Sequence, residues 1–135
     1  MESSVLFGYQ VELDRKETLD WYRKADEWGC ECGHCRNFLN LAKSRKLPVS
    51  VMEVLDRLDI PAEKATYVCE LYTDDSGIHY QFGYRIAGRI LSELESNGTG
   101  NARCCHEPYP YGAPGFPEPH FDLEFYETLP WVLNE

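Results

Sequence analysis

Residues 65–90, ATYVCELYTDDSGIHYQFGYRIAGRI, contain two segments rich in Tyr, Val, Ile and Phe on either side of a polar turn. Residues of these types favour strands, and Asp74-Asp75-Ser76-Gly77 is typical of a tight turn. The sequence therefore predicts a β-hairpin with arms at 65–73 and 78–90. One face of the second arm is expected to be buried, because alternate positions carry Ile78, Tyr80, Phe82, Tyr84 and Ile86.

The regions around the hairpin predict three helices and two further strands. Alternating apolar residues predict strands at 5–13 and 121–126, and helical spacing predicts helices at 18–28 and 35–46. A third helix is expected to begin at Ser50, because Ser50-Val51-Met52-Glu53 fits a capping box, and to end near Pro61. We therefore expect an α+β fold, an antiparallel sheet of about four strands with about three helices packed on one face.

The length of 135 residues and a hydrophobic content of 43% suit one domain that spans 1–135. Within it, a Pro-, Gly- and Tyr-rich arm is expected at 96–120, because residues 107–119 contain five prolines and two glycines. A stretch of this kind without regular structure either contacts a partner or folds back over the sheet. Both interpretations remain open at this point.

The net charge of −10 argues against nucleic acid as a partner. The one concentration of basic residues is small and consists of Arg36, Lys43, Arg45 and Lys46. Lys43 to Lys46 suit the end of a helix, where the dipole favours cations. No apolar run is long enough to cross a membrane, and the first residues lack the features of a secretory signal. We expect a cytoplasmic protein with an unidentified protein partner or a second copy of itself, neither nucleic acid nor membrane.

Cys30-Glu31-Cys32-Gly33-His34-Cys35 places three of the six cysteines within six residues. Thiolates and imidazoles are the ligands that Zn²⁺ prefers, in a tetrahedral arrangement. The sequence predicts one structural Zn²⁺ on Cys30, Cys32 and Cys35. The fourth ligand is expected from Cys104-Cys105-His106, with Cys105 or His106 preferred, and His34 is a second option. In the alternative interpretation these residues are reduced thiols that merely pack, since cysteine is among the most buried residue types.

Cys32-Gly33-His34-Cys35 also resembles the dithiol motif of protein disulfide isomerases. In that family an apolar central strand precedes the motif, whereas residues 24–29 here are charged and predicted to be largely helical. The resemblance covers four residues and does not imply that fold. A helix start can still stabilise a thiolate, so a redox enzyme or sensor that uses Cys32 and Cys35 is a second hypothesis.

The segment C-E-C-G-H-C-R-N-F at 30–38 and the ending Leu129-Pro130-Trp131-Val132-Leu133 resemble small uncharacterised bacterial proteins with a C-x-C-x-x-C-R-N-F segment. The resemblance implies a cytosolic bacterial domain and no catalytic residues. No H-E-x-x-H or paired-carboxylate pattern predicts metal-assisted hydrolysis either. The principal hypothesis is therefore a small zinc-stabilised binding or adaptor domain without catalysis. A third hypothesis is an acidic inhibitor or immunity-type protein that docks on a basic partner.

Overall fold

The described residues form a six-stranded antiparallel sheet with three helices, which confirms the predicted α+β class. This fold is seen in a computed structural model that describes residues 1–93, 101–105 and 113–134. In chain order the elements are β1 (Glu2–Leu6), β2 (Tyr9–Leu13), α1 (Arg15–Lys24), α2 (Gly33–Lys43), α3 (Val49–Leu58), a 3₁₀ turn (Ala62–Lys64), β3 (Tyr67–Asp74), β4 (Gly77–Glu93), β5 (Ala102–Cys105) and β6 (His120–Leu129).

Strand β4 organises the sheet, whose order is β1-β2-β4-β6-β5 with β3 also paired to β4. Its first part lies between β3 and β6, and its last residues pair with β2. The Cys104 sulfur on β5 lies 3.9 Å from the carbonyl oxygen of Leu6 on β1. The two ends of the strand order therefore approach each other, as in a sheet that curls on itself.

The predicted hairpin is present, with Asp74 and Gly77 paired across its turn. The Asp74 carboxylate holds the turn by accepting hydrogen bonds from the Ser76 backbone N–H at 2.9 Å and hydroxyl at 2.6 Å. The expected apolar face is buried, with every one of its side chains no more than 4% exposed. Phe38 of α2 packs on this face, with its ring centroid 4.8 Å from that of Phe82.

Six strands are present where about four were expected. The predicted strand at 5–13 is two strands, because Phe7 and Gly8 both have positive φ angles (51° and 82°) and form a two-residue turn. Turns of this type join antiparallel strands, and their twist matches that of the strands. Strand β5 was not predicted, since its four residues are too few to show an alternating pattern.

The helix boundaries also differ from those predicted. Helix α1 begins after Asp14, whose carboxylate accepts the backbone N–H of Glu17 at 3.0 Å, and ends at Lys24, four residues early. The capping box at Ser50 was wrong, because α3 begins at Val49 after Pro48 and has no side-chain cap. Helix α2 begins at Gly33, which places Cys35 in its first turn. No helix among the described residues is both long and apolar enough to cross a membrane.

Gly88 lets β4 pass close to β2. Its φ is +140°, and a Cβ atom there would lie 2.0 Å from the carbonyl oxygen of Glu12. No other residue type fits this position, since the close neighbour is backbone that cannot rotate away.

On the same strand Arg85 forms a buried ion pair with Asp122 of β6 at 2.9 Å. The middle of β4 is therefore covered on both faces.

Candidate metal centre

The three cysteines of the 30–35 segment converge in the structure. The Sγ atoms of Cys30, Cys32 and Cys35 all lie within 4.8 Å of one another. Around a tetrahedral Zn²⁺, with Zn–S bonds of about 2.3 Å, sulfur atoms stand about 3.8 Å apart. The present sulfurs need to approach by no more than about 1 Å, which side-chain rotation can supply. The geometry is compatible with one bound metal ion.

The start of α2 positions two of these sulfurs. Cys32 is the N-cap residue, and its Sγ atom accepts the backbone N–H of Cys35 at 3.4 Å. Its carbonyl oxygen accepts the first helical hydrogen bond, from the Arg36 N–H at 2.9 Å. The Cys32 sulfur therefore lies at the positive end of the helix, where negative charge is stabilised.

The two helix-bound thiols differ in acidity. The pKa of Cys32 is lowered, above all by the Cys35 backbone N–H that its sulfur accepts. Burial raises the pKa of Cys35 to about 12, although the Trp28 indole N–H acts in the opposite direction. Without a metal ion, the cluster holds negative charge most readily on Cys32, which is exposed, and keeps a proton on Cys35, which is buried.

The irregular segment that leads into the cluster is fixed at two points. The Trp28 backbone N–H donates to the Glu63 carbonyl at 2.9 Å, and the Glu27 carboxylate pairs with Lys43 at 3.1 Å. The Trp28 indole nitrogen is buried and makes no hydrogen bond with any of the described residues. Its N–H nevertheless acts to lower the pKa of the Cys35 thiol. Sequence analysis did not identify Trp28 as part of the site.

The C-terminal segment lies directly behind the cluster and is held there by Asn37. This fully buried amide donates to the Pro130 carbonyl at 3.0 Å and to the Tyr80 hydroxyl at 3.3 Å, and accepts the Val132 N–H at 2.7 Å. The Trp131 ring meets that of His34 edge-on, with centroids 5.9 Å apart. The 30–38 and 129–133 segments therefore contact each other, a relation that their spacing in sequence could not reveal.

Cys105, one of the two preferred fourth ligands, is not brought to this cluster. The Cys105 sulfur is not one of the three that converge. In the sheet, Cys105 of β5 lies opposite Asp122 of β6, and Asp122 lies opposite Arg85 of β4. The cluster instead lies near Tyr80, whose hydroxyl donates to the His34 carbonyl at 2.7 Å. Tyr80 and Arg85 are five residues apart along β4, which corresponds to about 16 Å at about 3.3 Å per residue. His106 lies outside the described residues.

The other cysteines occupy separate environments. Cys104 is buried, which raises the pKa of its thiol to about 12. The half-buried Cys69 thiol donates to the Glu70 carbonyl at 3.5 Å. No disulfide joins any of the six cysteines. Within the described ranges, the three converging sulfurs are the one group of three or more ligand atoms with metal-site spacing.

A cleft of about 490 Å³ opens beside the cysteine segment. It is lined on one side by Trp21 and Lys24 of α1 and on the other by Trp28, Gly29 and Lys64. Trp28 and Gly29, which line the cleft, directly precede Cys30 in the chain. A ligand in the cleft would therefore lie next to the cluster.

No family model, curated protein or solved structure matches this chain. The function is accordingly inferred from the geometry of the cysteine cluster.

Proposed function

We propose that the protein is a small metal-binding domain in which Cys30, Cys32 and Cys35 hold one Zn²⁺. The observation that carries the proposal is the convergence of three sulfurs within 4.8 Å at the start of α2. Three thiolates suit zinc better than a hard cation such as Mg²⁺, which prefers oxygen ligands. Zinc completes its coordination with one further ligand, for which His106 remains a prediction.

The proposed role of the ion is structural. It would link the irregular segment before Cys32 to the first turn of α2, which already contacts the C-terminal segment through His34 and Asn37. Of the three ligands only Cys35 belongs to the hydrophobic core, most of which lies between the helices and the buried face of β4, whereas Cys30 and Cys32 are exposed. Metal removal is therefore expected to loosen residues 25–35 and leave the sheet folded, unlike a zinc finger that unfolds outright.

The test is the metal content of protein purified without added zinc and of the same protein after zinc reconstitution. Elemental analysis should find about one zinc per chain. Cys30→Ser and Cys32→Ser should each lose most of it, and because both residues are exposed these variants should still fold. Cys69→Ser is the matched control and should keep the metal. A wild-type protein without zinc after reconstitution, or ligand variants that bind as well as the control, would contradict the proposal.

We further propose a cytoplasmic location and a protein partner or homodimer, with the adaptor role that the sequence suggests. The acidic-inhibitor hypothesis is supported by the net charge of −10 alone. It predicts capture of a basic partner that weakens steeply as salt is raised, because exposed charges are screened within about 10 Å at 0.1 M salt.

A further inference from the structure

Cys32 and Cys35 lie in an arrangement that suits a disulfide as well as a metal ion. Cys32 is the N-cap residue of α2 and Cys35 lies in its first turn, so the two stand three residues apart at the start of one helix. The Cys35 N–H already contacts the Cys32 sulfur at 3.4 Å. The two sulfurs lie within 4.8 Å, and to reach the disulfide length of about 2.05 Å the side chains must rotate while the backbone of the exposed Cys32 at the helix start adjusts.

Access to the cluster is unequal. The Cys32 side chain is exposed, whereas Cys35 is buried behind it and only 7% exposed. An oxidant from solvent therefore reaches Cys32 first, and Cys35 is placed to react second. Cys30 is also exposed, but it belongs to the irregular segment, whereas a single helical turn holds Cys32 and Cys35 in register.

We propose that hydrogen peroxide converts the cluster into a Cys32–Cys35 disulfide and expels the zinc ion. This inference rests on the proposed function, because the ion that leaves is the one proposed above. The disulfide removes two of the three sulfur ligands, and the single remaining thiolate of Cys30 cannot retain the ion. The metal site is then a peroxide-responsive switch.

The chemistry proceeds in two steps. The Cys32 sulfur attacks one peroxide oxygen, so that an S–O bond forms, the O–O bond breaks and hydroxide leaves to become water. The Cys35 sulfur then attacks the Cys32 sulfur, so that the S–S bond forms, the S–O bond breaks and a second hydroxide leaves. The two thiolates together lose two electrons, and the two leaving hydroxides take two protons from solvent, so that one peroxide becomes two waters.

The oxidised site should affect its surroundings. The turn that carries both sulfurs also carries His34, which packs on Trp131, and the Trp28 N–H acts on the Cys35 thiol. The fluorescence of these tryptophans should therefore change as the disulfide forms. It should return when a dithiol reductant and zinc are added together.

The test adds hydrogen peroxide, in steps up to ten equivalents, to the zinc-loaded full chain. A colorimetric chelator measures released zinc, and peptide mapping by mass spectrometry locates the disulfide. We expect one zinc released for each Cys32–Cys35 disulfide formed. Zinc retention with unmodified thiols, or a disulfide that joins another pair, would overturn the inference.

Two variants sharpen this test. Cys35→Ser removes the proposed second sulfur, so no disulfide to position 35 can form and dimedone should trap Cys32 as sulfenic acid; rapid loss of that sulfenic acid to a Cys30–Cys32 disulfide would show that Cys30 can take the role assigned to Cys35. Cys69→Ser should behave as wild type. If dimedone instead labels Cys69 or Cys104 before Cys32, the proposed order of attack is wrong.

The same peptide mapping on the metal-free chain separates failure of this inference from failure of the proposed function. A chain that never binds zinc but forms the Cys32–Cys35 disulfide refutes the zinc site and the release step together. A chain that binds zinc and forms no such disulfide refutes only the switch.

Discussion

Replacing Asn37 with Ala should destabilise the protein at the junction between α2 and the C-terminal segment. The substitution removes three hydrogen bonds, to Pro130, Tyr80 and Val132, from a fully buried site. At about 1 kcal/mol each the loss is about 3 kcal/mol, offset by about 0.6 kcal/mol because Ala is the better helix former. The free energy of unfolding should therefore fall by about 2–3 kcal/mol.

Calorimetry measures this effect as a change in Tm. An unfolding entropy of about 2.1 cal/mol/K per residue corresponds to about 3.5 °C per kcal/mol for 135 residues. We expect the Tm of Asn37→Ala to fall by about 7–10 °C. The matched control is Asn40→Ala at an exposed position of the same helix, which should show only the small propensity gain. If Asn37→Ala is as stable as the control, the account of how the C-terminal segment is held is wrong.

Three further predictions concern the hairpin turn, the sheet and the metal. The Ser76 hydroxyl and N–H, with His79, hold the pKa of Asp74 at about 2, below its usual 3.8. The stability that this provides is present above pH 4 and is lost as the pH falls through 2. The urea midpoints of wild type and Asp74→Asn should therefore differ at pH 5, approach each other near pH 2 and converge below it. Gly88→Ala should lower the free energy of unfolding by more than about 3 kcal/mol or prevent folding, because the added methyl carbon would lie 2.0 Å from the Glu12 carbonyl oxygen. Gly115→Ala is the control and should cost less despite its φ of +74°, because no atom lies within 4 Å of the added carbon. Equal expression and equal Tm for the two variants would refute this prediction. Free zinc at about 1,000 times its Kd stabilises the folded protein by about 4 kcal/mol, so chelation from that state should lower Tm by about 14 °C. The far-ultraviolet circular dichroism of the sheet should stay unchanged at 25 °C. A Tm that does not respond to the chelator would contradict a stabilising metal.

The hairpin at β3 and β4 could be predicted from sequence because its signals are local and agree with each other. Aromatic and β-branched residues favoured strands, and Asp74 to Gly77 supplied the turn. The β1–β2 turn was missed because Phe7 has a positive φ although nothing in its side chain favours it. The capping box at Ser50 failed because Pro48 precedes it and lets the helix start earlier.

The candidate site could be predicted only as far as its ligands are close in sequence. Cys30, Cys32 and Cys35 converge within one turn, so spacing alone indicated their proximity. Cys105 depended on how two distant parts of the chain are placed, and the pairing of β5 with β6 sets it near Arg85 instead. The contributions of Trp28 and Asn37 depend on tertiary contacts of ordinary residue types, which carry no signal in a single sequence.

X-ray absorption at the zinc edge on the reconstituted full chain is the most direct test of the three-sulfur site. The account predicts a first shell with three sulfur atoms at about 2.3 Å and one lighter ligand. The Cys30→Ser variant should show fewer sulfurs, and Cys69→Ser should show the wild-type shell. A zinc shell composed of nitrogen and oxygen atoms alone, or one unaffected by loss of Cys30, would contradict the claim that these three cysteines hold the metal.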